Sequence, residues 1–121
     1  VSFTAAADLS TKQFYFVKIT AARTVNIATL GACFGVLQNK PKSGEFASVR
    51  SLDLTKGIAG GTIAAGDRLT SDSSGKAVKL TPFASSIGDV WYDLIGVAMD
   101  AAVLNDVFTA YLTGPTAVQI S

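Results

Sequence analysis

The residue types that most often carry catalysis are scarce in this sequence. None of its 121 residues is a histidine, so no Ser-His or Cys-His couple can form and no imidazole can ligate a metal or carry a proton. The one cysteine, Cys33, lies between Ala32 and Phe34 in a strand-like segment, where a free thiol usually behaves as a small buried apolar group. The sequence therefore offers no nucleophile with a partner base.

Two other patterns resemble binding sites but fit turns better. Asp67 and Asp72 lack the spacing of a calcium loop, and aspartate is common in turns because its carboxylate bonds to nearby backbone. The string Ser74–Lys76 resembles the end of a phosphate-binding loop, but Thr70 stands where that loop needs glycine and Ala77 where it needs Ser or Thr. We expect no catalytic, cofactor-binding or metal-binding residues, and we predict that the protein is not an enzyme.

A basic stretch raises the question of nucleic-acid binding. Lys40, Lys42, Arg50 and Lys56 are close in sequence, and the aromatic run 14–16 suggests a stacking platform. However, neighbouring residues of a strand point to opposite faces, and the net charge is only +1. We expect a solvated loop and core aromatics, with no nucleic-acid partner.

The charges are few and unevenly placed along the chain. Apolar residues make up 49% and charged residues 16% of the sequence, whereas globular proteins average about 25% charged, so a large core, an apolar interface or both are expected. Residues 1–80 hold ten cations and five anions, net +5, while residues 81–121 hold four anions and no cation, net −4. A molecule of this kind could stack head to tail or sit on a charged surface, or its two ends could cancel within one domain.

Short apolar segments separated by turn residues predict strands along the whole chain. The central unit is Gly60–Leu80, in which Ile63 is an apolar anchor and the turn 71–75 joins two strands into a hairpin. In the segment from Phe46 to Leu54 the alternation slips, which a bulge near 48–50 would explain. Further strands are expected over Gln13–Ile19, Arg23–Leu30, Phe34–Gln38, Leu94–Met99 and Val107–Leu112. In the second of these, Ala28 is expected to point outward. Gly114-Pro115 is expected to end the last strand, and Ala117–Ile120 to add a short edge strand.

This pattern predicts an all-β fold. We expect a small β-barrel or β-sandwich of about eight short strands with Gly-rich turns. A single domain over residues 12–121 would follow an N-terminal arm formed by residues 1–11. No apolar run approaches the ~18 residues that span a bilayer, and the first residues lack the pattern of a signal peptide, so we expect no membrane association and synthesis inside the cell.

Five segments occur in an order that resembles one known family. The series "GVLQNKP" and "AGG-I-AGD" is its most specific part, and the segments are Asp8–Lys18, Gly35–Glu45, Ala59–Asp67, Thr70–Ala77 and Ile95–Ala101. Together they resemble the small capsid-cement, or decoration, proteins of tailed bacteriophages, over most of the chain from Asp8 to Leu112. The sequence departs from the family pattern between Pro82 and Asp93, where Trp91 and Tyr92 lie in what looks like an insertion.

The resemblance implies a structural role in a virion. It implies a β-rich module that binds the phage major capsid protein on the exterior of the shell and reinforces it, as a homo-oligomer with a trimer favoured, after synthesis in the host cytoplasm. The family has no catalytic residues or cofactor to carry over. The alternative is a small ligand-binding or enzyme-accessory β-barrel, because the segment Ile63–Leu69 resembles a turn of sugar-binding and lipoyl-like barrels.

Four residues are expected to contact the capsid or neighbouring subunits. Phe3 and Leu9 are large apolar residues in an otherwise small and polar arm with no predicted partner strand. Trp91 and Tyr92 lie in an irregular, acid-flanked stretch, and aromatic residues are enriched among interface anchors. The alternative for Trp91 is that it plugs one end of the barrel.

Overall fold

The computed structural model describes residues 2–80 and 90–120, with backbone only for residues 2, 90–92 and 118–120. The described residues form ten strands and no helix, which confirms the all-β prediction. The strands are β1 Ser2–Ala5, β2 Phe16–Ala21, β3 Thr24–Ile27, β4 Gly35–Leu37, β5 Phe46–Arg50, β6 Leu52–Ile58, β7 Arg68–Ser71, β8 Ala77–Lys79, β9 Val90–Ala98 and β10 Val107–Ile120. No helix in the described part is long and apolar enough to cross a membrane.

The first five strands close into a barrel in the order β1-β3-β2-β4-β5. β1 runs parallel to β3, and the other barrel pairs are antiparallel. Closure removes the free edges that an open sheet would leave. The barrel interior is filled by side chains rather than by a cavity for a ligand: Phe3, Ala5, Leu9, Val17, Val25, Leu37 and Ala47 form one buried cluster.

The remaining strands form an open, antiparallel second sheet in the order β6-β10-β9-β7-β8. One of its faces packs against the barrel. The cluster between them joins Phe16, Ala28 and Val36 of the barrel to Ile63, Leu69, Ile95, Phe108 and Leu112 of the second half.

The barrel wall made by β2 and β4 is shared between the two cores. Phe16 packs in the inter-sheet cluster, and the next residue, Val17, packs inside the barrel. Val36 and Leu37 of β4 divide in the same way. Because successive strand residues point to opposite faces, a wall that is covered on both sides must be apolar at every position. In β2 this double coverage is limited to Phe16 and Val17, because Lys18 is half-buried and Ile19 is 48% exposed.

The hairpin of β7 and β8 anchors the second half to the barrel. Its register pairs Leu69 with Lys79 and Ser71 with Ala77, which confirms the predicted hairpin, although Ser71, expected in the turn, is the last residue of β7. The hairpin turn holds Gly75 at φ +82°, a conformation that favours glycine. A Cβ there would lie 2.9 Å from the carbonyl oxygen of Phe16, so the turn lies directly against the end of the barrel wall.

Several predicted strand limits were wrong. Phe14 has φ +69°, so β2 begins only at Phe16 rather than at Gln13. The slip within 46–54 is a change of sheet at Ser51, between β5 and β6, and not a bulge. Gly114 does not end the last strand, because a register shift between Leu112 and Thr116 lets β10 continue to Ile120.

Two predicted environments also differ from the structure. Ala28, which was expected to point outward to solvent, is buried in the inter-sheet cluster, because the outer surface of the barrel is covered there by the second sheet. Residues 2–5, expected to belong to an arm, form β1 between β3 and β5, and Thr4 pairs with both Thr24 and Phe46. Since β1 closes the barrel, it is part of the folded unit.

Candidate functional site

The outer face of the second sheet exposes a group of large apolar side chains. Register places Leu54 opposite Tyr111 and Leu52 opposite Thr113, and directly opposite residues share one face of a sheet. The exposed fractions are 59% for Leu52, 54% for Leu54, 56% for Val107 and 42% for Tyr111. We call this surface the sheet face, and it includes the half-buried Ile58 opposite Val107 and Val97 opposite Tyr111.

Strand β10 carries apolar residues on both faces of this sheet, whereas an ordinary solvated sheet is apolar on one face only. Phe108, Ala110 and Leu112 point toward the barrel and are at most 3% exposed. Val107 and Tyr111 alternate with them and point away, where a solvated antiparallel sheet normally carries polar residues. An apolar outer face of this kind usually marks a protein contact.

Basic and polar side chains lie among the apolar residues of the sheet face. Lys56 and Thr109 are opposite each other, and Arg68 of β7 is opposite Val97. Lys56 and Arg68 are exposed, and no acidic side chain lies within 4.0 Å of either in the part of the chain that the structure describes. The sheet face can therefore bind a surface that combines apolar and acidic groups.

Phe3 and Leu9 are in the barrel core and do not form a contact surface. Phe3 is 7% exposed and its ring meets that of Phe34 edge to face, with centroids 5.6 Å apart. Leu9 is 2% exposed, and its backbone N–H donates to the carbonyl oxygen of Pro41. The premise that these side chains lack a partner within the chain was wrong, because β1 has a strand on each side.

Trp91 and Tyr92 lie at the start of β9 rather than in an irregular loop. Their backbones pair with Gln119 and Val118 of β10. Their side chains lie outside the described residues, as does most of the segment between Pro82 and Asp93. The expectation that these two aromatic residues contact a partner stays a prediction.

Cys33 and Asp93 connect the barrel to the second sheet. The Cys33 N–H donates to the Asp93 carboxylate at 3.1 Å, and the Asp93 N–H donates to the carbonyl oxygen of Gly31 at 2.8 Å. Cys33 is 4% exposed, and burial raises the pKa of its thiol to about 12. A thiol that stays protonated at neutral pH is a poor nucleophile, so this group has a packing role.

The two aspartates that resembled ligands are used by their own turns. The Asp67 carboxylate accepts the Ala64 N–H at 2.9 Å and lies 4.0 Å from the Lys79 ammonium group. The Asp72 carboxylate accepts the N–H groups of Ser74 and Lys76 at 2.8 and 2.9 Å. These bonds confirm the turn interpretation of both residues.

The sequence reasoning missed the sheet face. Its signal was present in Val107–Leu112, where Val107 and Tyr111 are apolar on the side of the strand opposite to Phe108, Ala110 and Leu112. Apolar residues on both sides of a strand fit burial on both sides as well as an apolar side left exposed, and here one side is exposed. The sequence alone does not distinguish these two cases.

Comparisons with known proteins place the chain among phage structural proteins. The family model for phage cement proteins matches residues 1–113. The crystal structure of the head fiber gp8.5 N base in bacteriophage phi29 is similar with a TM-score of 0.70 at 16% sequence identity, covering 96% of this chain and 95% of that one. At this identity the likeness shows a shared fold. No curated protein sequence matches the chain.

Proposed function

The chain belongs to the phage cement protein family, and we propose that it docks on the exterior of the phage shell through the sheet face. It is a structural virion protein that binds a phage capsid. The observation that supports the proposed orientation is the exposure of Leu52, Leu54 and Tyr111 on the side of the β6–β10 pair that faces away from the barrel, opposite to the buried Phe108, Ala110 and Leu112. On the shell these half-exposed side chains would lose their remaining contact with water, and each would gain part of the about 1.5–3 kcal/mol that complete burial of a large apolar side chain contributes.

Reinforcement follows if one copy contacts more than one capsid subunit. A ligand that binds only the assembled shell stabilises it by mass action, and repetition over the lattice adds avidity. We expect shells that carry the protein to rupture at a higher temperature than bare shells. Light scattering during heating measures this difference, and equal rupture temperatures at saturating occupancy would contradict a cementing role.

The docking test uses purified shells that lack the protein. Leu54→Glu places a charge in the centre of the sheet face, and we expect it to weaken binding by ~2 kcal/mol or more, because the charge would lose its water on docking. Ser73→Glu adds the same charge at an exposed position of the β7–β8 turn, which lies against the barrel, and is the matched control. Binding is measured by cosedimentation with shells. Equal affinities of the two variants would contradict the proposed orientation.

Trp91 is proposed as a second contact, at the end of the same sheet. The comparison is Trp91→Ala. A contact residue should leave the free energy of unfolding nearly unchanged while weakening shell binding by ~2 kcal/mol or more. A residue that plugs the fold should instead cost about 3–5 kcal/mol of stability. Denaturant unfolding and cosedimentation on the same variant distinguish the two roles.

We also propose that the protein acts without catalysis and as a homotrimer. The two aspartates that resembled metal ligands, Asp67 and Asp72, accept hydrogen bonds within their own turns, and the family role is structural. A hydrolase or transferase activity that disappeared in Asp67→Asn or Asp72→Asn, with the fold intact, would contradict the first part. Sedimentation of the isolated protein at tens of micromolar, a range that detects weak specific association, tests the second.

A further inference from the structure

Within the described residues, exposed large apolar side chains group together in two places besides the sheet face, with Leu30 apart from both, and the charges around the two groups are opposite. One place is the end of the barrel formed by the β2–β3 turn and the β4–β5 connection. The other is the connection between β9 and β10. The barrel segment, residues 1–50, holds six cations and two anions, net +4, whereas residues 51–121 hold four cations and seven anions, net −3.

The end of the barrel brings together basic side chains that are separate in sequence. β1 joins them, because the Thr4 N–H donates to the carbonyl oxygen of Arg23 and the Ala5 N–H donates to that of Glu45. Lys40 and Lys42 lie on the connection that leads to Glu45, and both are exposed, as is Arg23.

Two large apolar side chains accompany these cations. Ile19 is 48% exposed and pairs with Val25 one residue from the β2–β3 turn, and Phe46 is 56% exposed and pairs with Thr4. We call this surface the basic end, defined by Ile19, Arg23, Lys40, Lys42 and Phe46. Glu45 is also present, and its carboxylate accepts the Lys42 N–H at 2.7 Å.

The β9–β10 connection, residues 99–106, has the complementary character. Met99, Val103 and Leu104 are between 51% and 58% exposed. Asp100 and Asp106 are exposed, and the connection contains no cation of its own. Their carboxylates accept the N–H groups of Thr109 and Val103, and the ammonium group of Lys76, from the β7–β8 hairpin, donates to Asn105 Oδ1 at 2.6 Å. We call residues 99–106 the acidic loop.

We infer that the acidic loop of one copy binds the basic end of a second copy. This inference rests on the proposed homo-oligomer and names its two contact surfaces. Both surfaces combine exposed apolar side chains with unlike charge, which gives an apolar centre and an electrostatically matched rim. Within the described residues of one chain, no ion pair joins the two surfaces, because the one pair within 4.0 Å is Lys79 with Asp67.

A contact between two different surfaces has a definite consequence for assembly. Each copy uses its acidic loop on one neighbour and its basic end on the other, which is a head-to-tail arrangement. A head-to-tail contact that closes on itself produces a ring, and a trimer is the smallest such ring beyond a pair. The sheet face takes no part in this contact and stays available for the shell.

Two charge variants test the inference in a mixing experiment. The first, Lys40→Glu with Lys42→Glu, makes the basic end acidic. The second combines Asp100→Asn, Ala101→Lys and Asp106→Asn, which changes the loop charge from −2 to +1. Each asparagine keeps an acceptor oxygen for the backbone N–H that the carboxylate now binds. The matched control, Lys56→Glu with Arg68→Glu, makes the same charge change on the sheet face.

The expected results depend on which surfaces meet. Each charge variant alone should sediment as a monomer at tens of micromolar, because its two contact surfaces carry like charge. Mixing the two variants should restore association into mixed pairs and open chains, since the altered surface of each is complementary to the altered surface of the other. A three-membered ring cannot alternate two variants, so the mixture should not form the closed trimer of the parent. The control should associate like the parent. A charge variant that associates as the parent does, or a mixture that stays monomeric, would overturn the inference.

Shell binding separates this inference from the proposed function. If the parent is a monomer that still binds shells, the head-to-tail contact is wrong and the cement role stands. If the parent associates and the mixing result is as expected, but Leu54→Glu and Ser73→Glu bind shells equally, the contact stands and the docking face is wrong. Raising the salt from 0.05 to 0.5 M, about a threefold change in screening length, should weaken association of the parent.

Discussion

The barrel and the second sheet both contain many apolar strand residues, but the second sheet leaves some of them exposed. In the barrel every strand has a neighbour on both sides, and the side chains that point inward fill the interior. The second sheet is open within the described residues and packs on the barrel through one face, while its other face exposes Leu52, Leu54 and Tyr111. The barrel therefore buries its inward-pointing side chains, whereas the second sheet leaves one apolar face exposed.

Because side chains alternate along β10, this single strand contributes both to the buried core and to the exposed sheet face. Changing Leu112 should damage the fold, and changing Tyr111 should damage binding, although the two are neighbours in sequence. Mutations on the two faces should therefore separate stability from shell binding. Four predictions, in order of decreasing effect, test whether the buried and exposed positions differ in this way.

The largest effect is expected at the wall that the two cores share. Phe16→Ala removes a fully buried ring between barrel and sheet, and we expect a loss of about 4–5 kcal/mol in the free energy of unfolding. Leu54→Ala on the sheet face should stay within about 0.5 kcal/mol of the parent. Denaturant unfolding measures both. A large loss in Leu54→Ala would show that the sheet face supports the fold itself.

A second comparison concerns two phenylalanines on adjacent strands. Phe3→Ala should cost about 3 kcal/mol, because Phe3 packs inside the barrel against Phe34. Phe46→Ala, on the neighbouring β5, should cost less than about 1 kcal/mol because its side chain is exposed. Unfolding is measured at low protein concentration so that self-association does not contribute. Equal losses would mean that β1 is held to the barrel only weakly.

A third comparison uses two glycines with similar backbone angles. Gly75→Ala should cost about 2–3 kcal/mol, since a Cβ at φ +82° is strained and would also lie 2.9 Å from the Phe16 carbonyl oxygen. Gly66→Ala has φ +90° with no atom within 4 Å, so only the backbone strain of about 1 kcal/mol remains. Thermal unfolding of both variants gives the difference. Equal losses would show that the hairpin turn does not press on the barrel.

The smallest effect is a pH dependence from Cys33. Burial raises the pKa of the folded thiol from 9.0 to about 12, so the thiol ionises first in the unfolded chain. Stability from this group is complete below pH 9 and is lost as the pH rises from 9 toward 12. At pH 10 the parent should have lost about 1 kcal/mol relative to pH 8, beyond any loss seen in Cys33→Ala. Parallel pH profiles of the two proteins would contradict the burial of this thiol.

Much of the fold was predictable because it depends on local patterns. The hairpin of β7 and β8 follows from a polar turn ending in Gly75 between two alternating segments. The limits of β2 and β10 were not predictable in this way. Phe14 adopts a positive φ that its residue type does not favour. Strand β10 continues beyond Gly114 because its register with β9 shifts there. Both features depend on tertiary packing.

The candidate site was less predictable than the fold. Phe3 and Leu9 were expected to contact a partner because β1 had no visible partner strand, but a strand that pairs with β3 and β5 depends on contacts distant in sequence. Exposed and buried apolar residues look alike in a sequence, so Leu54 and Tyr111 could be recognised only once the register of β6 and β10 was known. The opposite net charges of residues 1–80 and 81–121 could be read from the sequence. The exposure of the apolar residues that lie near charged side chains could not be read from it.

Imaging of shells decorated with the protein tests whether it docks through the sheet face. A cryo-EM map that resolves strands would show which surface of the protein faces the capsid. We predict density on the outside of the shell with β6 and β10 next to the capsid protein, and with Leu54 and Tyr111 in the contact. A map in which the sheet face points to solvent while the barrel contacts the shell would contradict the account.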